Sequence, residues 1–255
     1  MHSVRFLGIM FSLLLFMAEA NGQKKELVLD SGLVANSEAY KVKYKFSFRS
    51  MPRFRFGTYK VLEGKSGWIK TSRVSKIWSK EAIYQTENKF SFTTTDDQSN
   101  VATVNALNII MSTYSKSTEI FASEKFSLTI GEDGILSGAE IFTASINTTN
   151  DEEDDWVLRV EAVEDEVSYR EVKSTLENGN RVIEVKLVSS PYQEGSSTIP
   201  AIGYEFYENE VSIGAVKYFP GAVAYRKIWL RTGLDAQTQL LIAAASATII
   251  HWKGV

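Results

Sequence analysis

Gly233-Leu234-Asp235-Ala236-Gln237-Thr238-Gln239-Leu240-Leu241-Ile242-Ala243-Ala244-Ala245-Ser246-Ala247-Thr248-Ile249-Ile250-His251 is the stretch whose reading decides the fold. After Gln239 almost every side chain is apolar, and three consecutive alanines sit in the middle. Alanine is the best helix former and a poor strand former, so the stretch reads as helix. Its apolar residues are not confined to one stripe, and a helix of that kind is buried all round. Asp235 is placed to accept from the free N–H groups of the first turn. Residues 235–251 then make a rod of roughly 25 Å at about 1.5 Å per residue. The rod is too short, and too rich in Ala, Ser and Thr, for a bilayer span of about 20 apolar residues. It belongs inside a domain, and the rest of the chain has to supply its walls.

What precedes the rod reads as strand. Tyr40, Val42, Tyr44, Phe46 and Phe48 alternate with Lys41, Lys43, Lys45, Ser47 and Arg49. Period two with aromatic and branched residues on one side is a strand with one dry and one wet face. Pro52 interrupts it, since proline cannot donate to a ladder, and Arg53-Phe54-Arg55-Phe56 resumes the alternation. Residues 57–61 read as a continuation of that strand and 63–67 as a turn. Residues 26–35 read as a first strand and turn. Trp68-Ile69, Ile77-Trp78 and Ile83-Tyr84 are short apolar anchors in a polar background, and residues 90–93 are strand. Residues 101–111 fit strand or helix. Gly131-Glu132-Asp133-Gly134 predicts a hairpin joining 126–130 to Ile135-Leu136. Asn178-Gly179 predicts a turn between 172–176 and 182–188. Residues 202–207 and 211–218 pair across Glu208-Asn209-Glu210, and 222–231 feeds the helix.

About ten or more short strands at roughly 8–12 residue spacing are the signature of a sandwich or barrel. A barrel of that many strands is too wide for its own side chains to fill, and an all-round apolar helix fills it. The expected fold is mainly β: a closed or nearly closed antiparallel barrel of about a dozen strands around a buried C-terminal hydrophobic helix.

The closing section carries a resemblance. Tyr204-Glu205-Phe206-Tyr207-Glu208-Asn209 is followed by Val211-Ser212-Ile213-Gly214-Ala215-Val216-Lys217, then Trp229-Leu230-Arg231, Asp235 and the apolar helix. This order resembles the end of the tubby C-terminal-like superfamily, which includes the LURP-one-related and phospholipid scramblase-type proteins. The resemblance implies a closed barrel of about a dozen strands threaded by the last helix. It implies no site residue: the scramblase-type acylated cysteines are absent, and the basic residues with which tubby binds phosphoinositides have no counterpart that can be placed.

The remaining features bound the function. The 255 residues carry a net charge of −3, so no bulk polycation is on offer for nucleic acid. Arg5, the apolar run 6–17 and Ala18-Glu19-Ala20 read as an export signal over residues 1–22, leaving 23–255 as a single domain. No second apolar run of span length follows, so the mature chain is expected to have no transmembrane segment. There is no cysteine, which excludes disulfides, thiolate nucleophiles and thiolate metal sites. Of the two histidines, His2 lies in the signal and His251 at the helix end, where it reads as a cation at the negative end of the helix dipole. A mature chain with one histidine builds no multi-histidine zinc site, and no Gly-x-Ser-x-Gly elbow accompanies it. The acidic run 151–155 lacks the calcium-loop spacing and reads as a solvated loop. Asn147-Thr148-Thr149 is a glycosylation sequon. No catalytic residue, metal ligand or cofactor is assigned.

The basic ribbon is the candidate site. Lys41, Lys43, Lys45 and Arg49 share one strand face, Arg53 and Arg55 share the next, and the two strands pair across Pro52. Like charges opposite one another in a ladder are destabilising, and an anionic partner would offset that. Two structural alternatives stand beside it: the lysines guard a sheet edge, or they pair with the acidic region 132–177. The expected function is an exported, non-enzymatic binding module of the cell envelope or extracellular space, secreted or periplasmic, recognising an anionic membrane surface or acidic glycan. The competing readings are a carboxylate-dependent hydrolase and a structural subunit of a surface assembly.

Overall fold

The computed structural model describes residues 26–45, 52–74, 81–115, 118–123, 126–130, 134–148, 155–165, 169–191, 200–218 and 226–253. The signal reading, Arg49, Ile77-Trp78 and residues 151–154 lie outside them. The chain opens with a short helix, α1 (Ser31–Ala35), and the strands β1 (Ser37–Lys41), β2 (Lys43–Lys45), β3 (Arg53–Phe56), β4 (Tyr59–Ser66) and β5 (Lys70–Val74). Long strands β6 (Glu81–Thr95) and β7 (Val101–Ser115) lead to β8 (Thr118–Ser123), β9 (Phe126–Ile130), β10 (Gly134–Asn147), β11 (Trp156–Asp165) and β12 (Tyr169–Glu177). Then come β13 (Val182–Ser189), β14 (Ile202–Glu208), β15 (Val211–Tyr218), β16 (Lys227–Arg231) and the helix α2 (Ala236–Lys253).

One antiparallel ladder runs β1-β16-β15-β14-β13-β12-β11-β10-β7-β6-β4-β3-β2. Its first and last members are consecutive in the chain, separated only by Val42, whose N–H donates to the Arg226 carbonyl at 3.1 Å. Residues 37–45 are thus a single stretch that pairs with β16 through one half and β3 through the other. The two ends of the sheet meet in it, and the ladder becomes a barrel of thirteen strand segments. β5 prolongs β4 along β6.

The rod is where the sequence put it. Fourteen of the 18 residues of α2 are buried, on all sides. Asp235 caps it, its Oδ1 accepting from the Thr238 N–H at 2.8 Å, and that bond holds the carboxyl below its ordinary range. The large core side chains come from the wall: Phe54, Phe56, Phe90, Phe92, Phe142, Tyr204 and Phe206. The middle of the rod is small, Ala243 to Ala245 and Ala247, so wall and rod interlock by size. Each fully buried Leu or Ile on the rod contributes about 1.5–3 kcal/mol. The wall comes close to the rod at Gly214 in β15, where a Cβ would lie 2.5 Å from Ile242 Cγ2.

Four local expectations are corrected. Residues 26–30 are not strand: they run extended over the outside of β14–β16, burying Leu27 and Leu33 with Ala215 and Trp229. Asp30 then caps α1. Gly57, at φ 53, makes with Thr58 a two-residue turn between Phe56 and Tyr59, so 57–61 is no continuous strand; 63–66, read as turn, is strand instead. β9 pairs with β8 and not with β10, because β10 is committed along its length to β7 and β11. His251 is not a helix-end cation. It is 3% exposed between Phe54, Phe90 and Phe92, and burial, with Arg226 nearby, holds its pKa down to about 3. Residues 101–111 resolve as strand within β7. No helix among the described residues is long and apolar enough to cross a membrane.

Candidate functional site

The ribbon residues sit where three antiparallel strands lie side by side. Lys43 is directly opposite Arg55, Lys45 is opposite Arg53, and Arg55 is opposite Lys60. The alternating partners Phe54 and Phe56 are buried, so the register forces the cations outward together. Lys43, Arg55 and Lys60 thereby form one row across β2, β3 and β4. Opposed side chains in such a row have Cβ atoms about 4.5–5.5 Å apart. Lys41 stands apart from it, in β1 opposite Lys227.

Two open clefts of about 730 and 720 Å3 lie on this face, and Lys43, Arg55 and Lys60 line both. Lys45, Arg53 and Leu62, with the apolar Tyr44, Phe54 and Val61, complete the first; Lys41, Tyr40 and Asp97 border the second. Asp97 is the one carboxylate among the described lining residues. It also helps, after burial and Asp96, to push the Tyr59 phenol up to about 12. Burial first, and a hydrogen bond to Glu38, likewise raise Tyr40, so both phenols stay neutral donors at physiological pH.

Among the described residues no ion pair involves Lys41, Lys43, Lys45, Arg55 or Lys60; the pairs formed are Lys89–Glu87, Arg159–Glu161, Arg181–Glu208, Lys186–Glu184, Lys217–Glu26, Lys227–Glu26 and Lys253–Glu140. Pairing with the acidic strands β10–β12 is prevented by topology, since β6 and β7 stand between. Those strands use their own partners instead. Glu140 accepts from Asn108 Nδ2, Trp252 Nε1 and Lys253 Nζ at 2.9–3.1 Å, fastening the end of α2 to the wall. Asp155 accepts from Asn147 Nδ2 at 2.7 Å and Ser145 Oγ at 3.2 Å, which engages the sequon amide within the sheet. Among the described residues no group of three or more His, Asp or Glu is arranged to hold a metal ion.

Sequence reasoning stopped the ribbon at Arg55 and missed Lys60. The signal was a run of composition. Residues 41–80 contain twelve Lys or Arg and one carboxylate, Glu63, against sixteen and thirty in the rest of the chain. A second omission is Arg226. Its guanidinium is 5% exposed, donates to the Tyr44 hydroxyl, stacks on that ring at 5.4 Å, and leaves Nε without a partner. Burial first, and then the charge of Arg226, disfavour protonation of His251, and the cation in the last turn of α2 is Lys253.

No family model matches the sequence, no curated protein matches it, and no solved structure matches the fold.

Proposed function

We propose that this protein is an exported, non-enzymatic binding module that holds an anionic partner on the outer face of β2, β3 and β4. The observation that carries the reading is the row Lys43–Arg55–Lys60, three cations opposed across adjacent strands that form no ion pair among the described residues. A row of this kind opposes folding, by about 0.2–1 kcal/mol for each directly opposed like-charged pair. The two ends of the ladder meet in the one stretch 37–45, in which β2 pairs with β3 alone among the described residues. The hydrolase reading asks for a pocket with two close carboxylates, whereas the clefts here are basic and the barrel interior is filled by α2. Kinship with the tubby C-terminal-like superfamily belongs to the same proposal. It is supported by the quoted order of residues, which runs through β14, β15 and β16 into α2.

The test compares the protein with a Lys43→Gln, Arg55→Gln, Lys60→Gln variant on immobilised heparin and on vesicles containing phosphatidylserine. Wild-type protein is expected to bind at least one of them in a salt-sensitive manner, as exposed charge contacts must. The variant is expected to lose that binding while remaining folded and no less stable. Equal retention of the two proteins, or no binding by either, ends the proposal.

A further inference from the structure

Between β4 and β5 the ladder along β6 slips by one residue. Ser66 faces Phe90 and Lys70 faces Glu87, so Gly67, Trp68 and Ile69 oppose only Lys89 and Asn88. That is a β-bulge. Gly67 stays in the ladder, donating to the Lys89 carbonyl at 2.6 Å, and a Cβ there would press on the same oxygen at 3.0 Å. The extra length is thrown outward in the next two residues. Trp68 is 91% exposed and Ile69 63%.

A single exposed apolar residue needs no explanation. Here two adjoin, one of them the largest apolar side chain available, on a bulge fixed at both ends by strand. Their neighbours include Lys65, Lys70 and Lys89, with Glu87 opposite Lys70 and paired with Lys89. Lys65 and Lys70 are exposed, and their partners Ser91 and Glu87 alternate with buried Phe90 and Phe92, so both lysines point to the same outer face as Lys60. From Lys60 to Trp68 the strand extends roughly 26 Å at about 3.3 Å per residue. The basic face and the apolar tip are therefore one elongated surface.

We infer that Trp68 and Ile69 insert into the interfacial layer of an anionic lipid bilayer while the cations of β2–β4 lie against its headgroups. This rests on the reading of that face as anion-binding and names its partner. Tryptophan favours the boundary between headgroups and acyl chains, where its ring is covered and its N–H stays wet. A plane of negative charge also explains why the cations are concentrated. The segment 41–80 is strongly basic while the remainder of the chain is acidic, so the molecule is electrically two-sided and is turned basic side down as it approaches. An acidic glycan would satisfy the charges and stack on Trp68 but leave Ile69 in water; a bilayer covers both.

The experiment uses the purified protein, a Trp68→Ser, Ile69→Ser variant and the Lys43→Gln, Arg55→Gln, Lys60→Gln variant. The probes are vesicles of phosphatidylcholine with 30% phosphatidylserine, the same vesicles with brominated acyl chains, phosphatidylcholine alone, and soluble heparin. Wild type is expected to bind the anionic vesicles and to be quenched by bromine. The Trp68/Ile69 variant should bind those vesicles at least tenfold more weakly, lose the quenching and keep its heparin affinity; the charge variant should lose both ligands. If the Trp68/Ile69 variant binds vesicles as wild type does, the inserted tip is refuted. If wild type binds heparin and not vesicles, the bilayer is refuted and the anionic face survives. If it binds neither, both readings fall. Because the two side chains are exposed, unchanged thermal unfolding of the variant is expected and checks that the loss is one of contact.

Discussion

Replace Gly214 with alanine and the new methyl group lands 2.5 Å from Ile242 Cγ2 and 3.1 Å from the Trp229 carbonyl oxygen. The backbone there does not have positive φ, so nothing but the helix and its neighbouring strand resists the change. Overpacking of this kind costs about 1–3 kcal/mol. Ile242→Ala alone removes buried methyl groups and leaves a cavity, at about 2–5 kcal/mol. The double variant differs from the sum in a predictable direction. Ile242→Ala deletes the atom with which the alanine collides, and the new methyl occupies part of the cavity. The double variant should therefore be more stable than additivity predicts, by about 1–3 kcal/mol, the range of coupling for residues in contact. The contact with the Trp229 oxygen persists, so the rescue is incomplete. Urea unfolding of the four proteins, read by far-ultraviolet circular dichroism and tryptophan fluorescence, closes the cycle. Strict additivity would mean that Ile242 does not lie against Gly214, and the threading of α2 through the barrel as described here would be wrong.

Two further outcomes are expected from local chemistry. With the His251 pKa held at about 3 in the fold and near 6.5 when unfolded, the unfolded chain binds the extra proton between those values. Stability from this group is present above pH 6.5 and lost as pH falls toward 3, about 2 kcal/mol of it between pH 7 and pH 5. Urea unfolding of wild type and His251→Phe at both pH values isolates that share; equal pH dependence in the two proteins would contradict it. Asn209 and Glu210 both occupy the left-handed region, at φ 50 and 66, in the turn between β14 and β15. Glycine is at home at the second position of such a turn, so Glu210→Gly should raise the unfolding free energy by about 1 kcal/mol; a loss of stability would show that the glutamate compensates for its own strain.

Much of the architecture was readable because periodicity reports burial. The alternation at 40–45 and 53–56 marks the inner and outer faces of the wall, and the absence of any stripe in 240–250 marks a rod enclosed on every side. What could not be read depends on partners distant in sequence. Nothing local in residues 37–45 says that one half will pair with a strand near residue 230 and the other with a strand near 54. Gly131 to Gly134 looks like a hairpin turn, but the commitment of β10 to β7 and β11 overrides it. His251 looks like a helix-end cation until Phe54, Phe90 and Phe92 are seen to surround it. The basic face was half legible: the register across Pro52 follows from alternation, whereas Lys60 joins the row only because the chain turns at Gly57 and Thr58. Exposure of Trp68 and Ile69 was invisible, since an apolar pair in a polar background is ordinarily an anchor for the core.

The seam where Ser37 meets Arg231 has a consequence for biogenesis. Closing it joins positions almost two hundred residues apart, a loop of high contact order, and such topologies fold slowly. The filling of the tube is also synthesised after every strand that lines it. Until α2 arrives, the apolar lining of the earlier strands faces an empty lumen. A nascent chain that stops short of Asp235 therefore exposes the apolar inner face of its sheet, the kind of surface that makes incomplete chains prone to aggregate.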